Sequence, residues 1–307
     1  MDLGIVGRDV HKPGNPLIPE MGGLAIVISF TLSCVIVSLV ASRYCLYMLT
    51  LLLCFLFAAF IGMYDDLRGL RPKVKVALTV LCCIPIVIAA SLDPAAITLG
   101  RPILPLLGRL RLTIIYWALL PFAVAVPANA VNMMDVYNGV MPATCLIVSS
   151  ALLVSGLILN KVSVVFMASP LIGSLAAYYY YNRYPARVFS GDTGSLAVGA
   201  AIGAMAVLSG LEMVGIVALM PHIMNAFHSL ASIKGLLERR EIKRRPTIVE
   251  DGLIKANPDP EAPLTLANLI LSGGPLREPE LVKCYVALSG VAFILAILTA
   301  LLMEVTL

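Results

Sequence analysis

Apolar residues along this chain fall in long blocks. Runs at about 22–42, 44–64, 75–92, 113–133, 140–159, 162–182, 194–211, 213–233 and 283–303 are nearly free of charge. Helical blocks of about 18–21 residues cross a hydrocarbon core of roughly 30 Å at 1.5 Å per residue. Backbone groups in lipid must be satisfied within their own segment, and the runs lack the two-residue alternation of a barrel strand, so each predicts a helix. The expected fold is all-α: one polytopic catalytic domain over residues 1–307 with about nine transmembrane helices. Pro85, Pro121, Pro127, Pro170 and Pro221 lie inside these spans and predict kinks.

Composition supports the pattern. Hydrophobic residues make up 60% of the chain and charged residues 13%, whereas a soluble domain is about a quarter charged. A membrane is therefore an expected partner and nucleic acid is not. None of the seven cysteines forms a Cys-x-x-Cys pair, so they read as small buried hydrophobes.

Parity puts the segments 1–21, 65–74, 134–139, 183–193 and 234–282 on one side of the bilayer. With Lys75 and Lys283 at its helix ends, that side holds 17 of the 22 Lys and Arg residues. An excess of cations marks the cytoplasmic side. Residues 1–21 lack the apolar core of a signal peptide, so the chain is expected to begin outside the bilayer.

The same side collects the acids and amides. In GMYDDLRGL, Asp65 and Asp66 are expected to end the second span. Adjacent helical residues point about 100° apart, so one carboxylate is expected to face a site and the other to be held by neighbours. In PANAVNMMDVYNGV, Asn129, Asn132 and Asp135 recur every three residues and are expected to share a helix face. An amide and a carboxylate are oxygen ligands suited to Mg²⁺. In FSGDTGS, Asp192 is expected just before the seventh span. This turn reads equally as backbone N–H groups aimed at phosphate and as an N-cap by Asp192. Lys243-Arg244-Arg245 can serve topology, lipid headgroups or a phosphate. His11 reads as a surface histidine, and His222, Asn225 and Ser229 as a helix–helix hydrogen-bonding stripe.

These motifs, in this order, resemble the polyprenyl-phosphate N-acetylhexosamine-1-phosphate transferase family. The stretch Asp9, His11, Lys12 … Ile18, Pro19, Glu20 … Gly23, the run Lys243 to Pro246 and the segment 264–278 look like its eukaryotic and archaeal branch. Two departures stand out: the family's usual ten helices include one before Asp9 without a counterpart here, and Val136 stands where Gly is frequent.

The resemblance implies transfer of a sugar 1-phosphate, above all GlcNAc-1-phosphate, from a UDP-sugar to a polyprenyl or dolichyl phosphate, with release of UMP. It implies Asn132 and Asp192 as ligands of Mg²⁺ (or Mn²⁺), and Asp65, Asp66, Lys75 and Asn129 in the catalytic pocket. Lys75 and Arg245 would meet the pyrophosphate, with Lys243 and Arg244 in the same cationic run. Phe189 would stack near the uracil, Asn138 would contact the nucleotide, and Asp9 and Glu20 would lie near the nucleotide-sugar. The site is expected on the cytoplasmic face of a cell membrane, or of the ER membrane in a eukaryote, and a homodimer is compatible with it. The competing reading is a secondary transporter of an anionic substrate. It predicts a midplane site between repeats, whereas the acids here collect at one surface.

Overall fold

Eight stretches are helical, long and apolar enough to cross a membrane: Gly23–Val40 (α1), Ser42–Arg68 (containing α2, Cys45–Arg68), Pro72–Leu92 (α3, Pro72–Val80, and α4, Ile84–Leu92), Ile114–Met134 (α5), Val140–Ile158 (α6), Val162–Asn182 (α7), Gly191–Ser209 (α8) and Glu278–Glu304 (α12). A ninth is a broken pair, Glu212–Ala218 (α9) and Met220–Ser232 (α10), bent by 66°. The computed structural model describes residues 6–12, 14–112, 114–232 and 244–306. Among these, the polytopic all-α expectation holds, with additions confined to loops. Val6–Arg8 (β1) pairs antiparallel with Leu17–Pro19 (β2), Ile103–Leu104 (β3) with Gly108–Arg109 (β4), and Thr247–Glu250 (β5) with Leu253–Ala256 (β6). The short helix Leu266–Leu271 (α11) follows.

Several predicted boundaries shift, and the shifts fall at the polar motifs. Helix α2 runs on to Arg68, past the predicted end of the span near 64, and Asp65 and Asp66 sit in its last turn, at the helix end as expected. Helix α8 starts at Gly191, which puts Asp192 in its first turn instead of before it. Polar residues at a span's end lower its mean hydropathy without breaking its backbone hydrogen bonds, so hydropathy trims a helix short. The predicted eighth span is the broken pair, with the bend just ahead of Pro221, which cannot donate to the preceding turn. Pro121 and Pro127 remain inside one continuous helix.

The small residues of α8 make it the centre of the bundle. Its membrane window is 89% buried, against 22% for α1 and 28% for α12. A β-carbon added at Gly199 would lie 2.4 Å from the Pro127 carbonyl oxygen of α5, and one at Gly62 of α2 would lie 2.2 Å from that of Asp192. Without glycine at these two points neither neighbour could approach the axis so closely. The expected hydrogen bonding by His222 and Asn225 is present. His222 Nε2 lies 3.0 Å from Thr144 Oγ1, and Asn225 joins the Met133 carbonyl (3.2 Å) to the Leu266 N–H (3.1 Å).

The five polar segments expected on one side meet at one end of the bundle. Segment 6–22 bonds to 138 and 189, the end of α2 bonds to 192 and 193, and the start of α12 bonds to 138. The opposite end has its own contacts, such as Tyr47 to Ala96 and Tyr116 to Glu212.

Candidate active site

The start of α8 is held by a residue from another helix. Asp66 at the end of α2 accepts the backbone N–H of Asp192 at 2.8 Å and of Thr193 at 2.9 Å, and the Thr193 hydroxyl at 2.6 Å. First-turn N–H groups have no partner within their own helix, and here a distant carboxylate caps them. Both expectations for this turn are thereby revised. Asp192 is not the capping residue, and these two N–H groups face a carboxylate rather than open space. Gly191, at φ +67°, sits against the same carboxylate: a β-carbon there would lie 2.6 Å from Asp66 Oδ2. Asp66 is the carboxylate held by neighbours.

Asp65, one residue earlier, faces the other way. It accepts the Leu70 N–H and, at 2.7 Å, the ammonium of Lys75 on α3. The same ammonium is 2.5 Å from Asp192 Oδ2, so Lys75 stands between two carboxylates from different helices. The second oxygen of Asp192 accepts Asn132 Nδ2 of α5 at 2.8 Å, and that nitrogen also lies 2.9 Å from Ser195 Oγ. Four helices thus deliver Asp65, Lys75, Asn132 and Asp192 to one point.

The three-residue repeat in α5 does not share one partner. Asn129 donates to Thr79 Oγ1 of α3 (2.8 Å) and to its own helix at Ala125 O (2.8 Å), whereas Asn132 faces α8. Thr79 is four residues beyond Lys75 and so lies on the same face of α3. Asp135 lies just past the end of α5 and accepts the Ser190 hydroxyl. Val136 is not among the non-glycine residues at positive φ, so this turn needs no glycine.

Burial raises the Asp135 carboxyl to about 7, with Asp192 pushing the same way and the Ser190 bond opposing. A carboxyl that holds its proton more tightly in the fold than in the unfolded chain stabilises the fold fully below the unfolded value near 3.8, and that stability is lost as pH rises through about 7. The thermal unfolding midpoint in detergent is therefore expected to fall between pH 5 and 8, and Asp135→Asn is expected to flatten that slope. An unchanged slope in the variant would assign the dependence to another group.

A second polar cluster lies three residues along. Asn138 is 4% exposed and bonds in four directions. Its Oδ1 accepts Lys12 Nζ (2.8 Å) and the Ala186 N–H (2.6 Å), its Nδ2 donates to Asp9 Oδ2 (3.2 Å), and its backbone N–H donates to Glu278 Oε1 (2.7 Å). Lys12 also pairs with Asp9. His11 packs on the Tyr137 ring with centroids 4.8 Å apart, so it is half-buried and not the surface histidine expected. Burial lowers its pKa to about 4, Asp9 opposing and Arg245 and Lys12 reinforcing. Arg245 therefore lies close enough for its charge to be felt by this cluster.

Of the other expected residues, Phe189 is tied by its backbone to the first segment: its N–H donates to Pro19 O (2.9 Å) and its carbonyl accepts the Gly22 N–H (2.8 Å). Glu20 is exposed, with its carboxylate over Gly7. Arg244 pairs with Asp259 at 2.7 Å, and the Arg245 carbonyl accepts Asn257 Nδ2 at 2.8 Å. Lys243 lies outside the described residues. Sequence reasoning missed the contributions of Thr79, Ser190, Thr193, Ser195 and Glu278. Small hydroxyls beside motif residues carry no signal of their own, but an acid opening the last span, as Glu278 does, was a readable one.

A sequence profile described as glycosyl transferase family 4 matches residues 48–210, which contain Asp65, Lys75, Asn132 and Asp192. Among curated proteins, the chain is 27% identical over 305 residues to a Saccharolobus solfataricus protein provisionally named UDP-N-acetylglucosamine–dolichyl-phosphate N-acetylglucosaminephosphotransferase, covering 98% of this chain and 89% of that one. It is 30% identical over 227 residues to a phospho-N-acetylmuramoyl-pentapeptide-transferase of Methylacidiphilum infernorum, covering 65% and 61%. A Methanocaldococcus jannaschii protein provisionally named a glycosyltransferase is 28% identical over 277 residues, covering 90% and 81%.

Proposed function

The chain belongs to glycosyl transferase family 4, a family of sugar-phosphate transferases acting at membranes, and from that premise we propose that it moves GlcNAc-1-phosphate from UDP-GlcNAc to a polyprenyl or dolichyl phosphate on the cytoplasmic face. The carrying observation is the Lys75 ammonium held between Asp65 and Asp192, with Asn132 on the second Asp192 oxygen. The name of the Saccharolobus relative supports transfer of a sugar phosphate to a lipid phosphate, and that of the Methylacidiphilum relative supports transfer of a phospho-sugar.

The reaction joins an oxygen of the lipid phosphate to the β-phosphorus of the UDP-sugar and breaks that phosphorus's bond to the bridging oxygen, which leaves with UMP. The obstacle is repulsion between anions: one unit pair at 4 Å costs about 4 kcal/mol at an effective dielectric of 20. Lys75 and Arg245 offset it by position and charge, which is most of what phosphoryl transfer needs. A phosphomonoester's second pKa is about 6, so the attacking phosphate is already largely dianionic and no general base is required. Both oxygens of Asp66 are engaged by α8, so it serves positioning rather than covalent attack. Asp65 is left to orient Lys75 and the incoming phosphate.

The donors fit a hard divalent ion. They are carboxylate and amide oxygens without sulfur or imidazole, and an ammonium already stands between two of the carboxylates. Asn132 and Asp192 would hold Mg²⁺ or Mn²⁺, which would neutralise diphosphate charge. An apolar groove of about 320 Å³ between α2 and α3, lined by Phe57, Phe60, Ile61, Tyr64, Leu70 and Leu78, adjoins Asp65 through the Leu70 N–H and suits a prenyl tail. With purified protein in detergent, UDP-GlcNAc, polyprenyl phosphate and Mg²⁺ are expected to yield UMP, and EDTA to stop it. A panel of UDP-sugars sets the donor, and no UMP from any of them would reject the reading.

A further inference from the structure

We infer that Asp9, His11 and Glu278 form a second cation site, separate from the Asn132–Asp192 pair and suited to Zn²⁺ or a similar transition ion. One carboxylate oxygen from Asp9, one from Glu278 and one ring nitrogen of His11 lie within 4.8 Å of one another. The two carboxylates are 2% and 3% exposed, and such groups are seldom buried without compensation. Glu278 Oε1 accepts the Asn138 N–H, but Oε2 is buried with no hydrogen-bond partner among the described residues. A buried carboxylate oxygen left without a donor is costly unless something electropositive meets it. Lys12 and Asn138 Nδ2 take Asp9 Oδ2, while Oδ1 accepts the His11 backbone N–H at a long 3.3 Å. Lys12 bonds to Asp9 and leaves Glu278 Oε2 unmet, and a cation would answer that oxygen.

The donor chemistry narrows the ion. An imidazole beside two carboxylates is a nitrogen–oxygen set that Zn²⁺ and other transition ions accept, whereas Mg²⁺ and Ca²⁺ prefer oxygen alone. Three protein ligands leave a fourth position open, as at zinc sites that bind water or another ligand. Such an ion would clasp the first segment to the start of α12, across Asn138.

The test uses tag-free full-length protein in detergent, stripped with chelator and titrated with Co²⁺ or Zn²⁺ alone under excess Mg²⁺, read by metal content and by the visible spectrum of Co²⁺. One equivalent is expected in the wild type and in Asp192→Asn. His11→Asn and Glu278→Gln are expected to weaken it at least ~100-fold, the upper end of what losing a mere supporting partner costs. His11→Cys is expected to restore binding, since thiolate is also a zinc ligand; this keeps the result readable if a variant folds poorly. No stoichiometric binding by the wild type, binding unchanged in both ligand variants, or binding lost in Asp192→Asn would each overturn the inference. No transferase assay enters, so failure here leaves the proposed reaction untouched.

Discussion

Replacing Lys75 with Gln is expected to lower UMP release by at least about 10²–10³-fold, the usual effect of deleting one preorganised electrostatic group, while the chain stays in the membrane fraction. Lys75 has two roles that the experiment can separate. Its ammonium lies 2.7 Å from Asp65 and 2.5 Å from Asp192. Without it, two carboxylates roughly 4–5 Å apart repel by about 3–4 kcal/mol at an effective dielectric of 20. The single variant should therefore also unfold at lower temperature. Adding Asp65→Asn removes the repulsion, so the double variant is expected to regain stability but not turnover. If turnover returns as well, Lys75 is a counter-ion for the fold and has no part with the diphosphate.

Asp66→Ala is expected to cost about 3 kcal/mol of stability, the size of one strong hydrogen bond to a charged group, because three bonds fail at once and two first-turn N–H groups are left unmet. Asp66→Asn keeps one amide oxygen for those groups and is expected to fall between Ala and the wild type. Activity should follow the same order, since the carboxylate of Asp192 is aimed by the turn that Asp66 holds. Thermal unfolding and UMP release on the same preparations check this. Equal stability of Ala and wild type would mean that water caps α8 adequately.

Much of this arrangement was readable beforehand. Apolar blocks located the spans, and the gathering of Asp65, Lys75, Asn132 and Asp192 followed from counting which loops share a side. The division of labour between Asp65 and Asp66 was legible as a requirement, because neighbours on a helix diverge, but not as an assignment. Which acid turns toward α8 depends on the rotation of α2, and that is set by packing at Gly62 against the Asp192 carbonyl. The break between α9 and α10 was half-announced by Pro221, while its 66° angle depends on tertiary contacts. The β5–β6 hairpin lies in a loop read only for its charges. His11 was misjudged because its burial comes from Tyr137, far away in sequence.

The slenderness of α8 sets what this chain can absorb by mutation. Methyl-sized additions at its inner glycines have nowhere to go, because backbone atoms of α5 stand 2.3–2.4 Å from where a β-carbon would be at Gly199 and Gly203, and the Gly23 backbone of α1 stands 2.8 Å from one at Gly194. Residues such as Leu39, Val40 and Ile114, about four-fifths exposed to what would be lipid, can be exchanged among apolar types at little cost. A saturation library should therefore tolerate variety on the rim and collapse to Gly alone at these contact points of the axle.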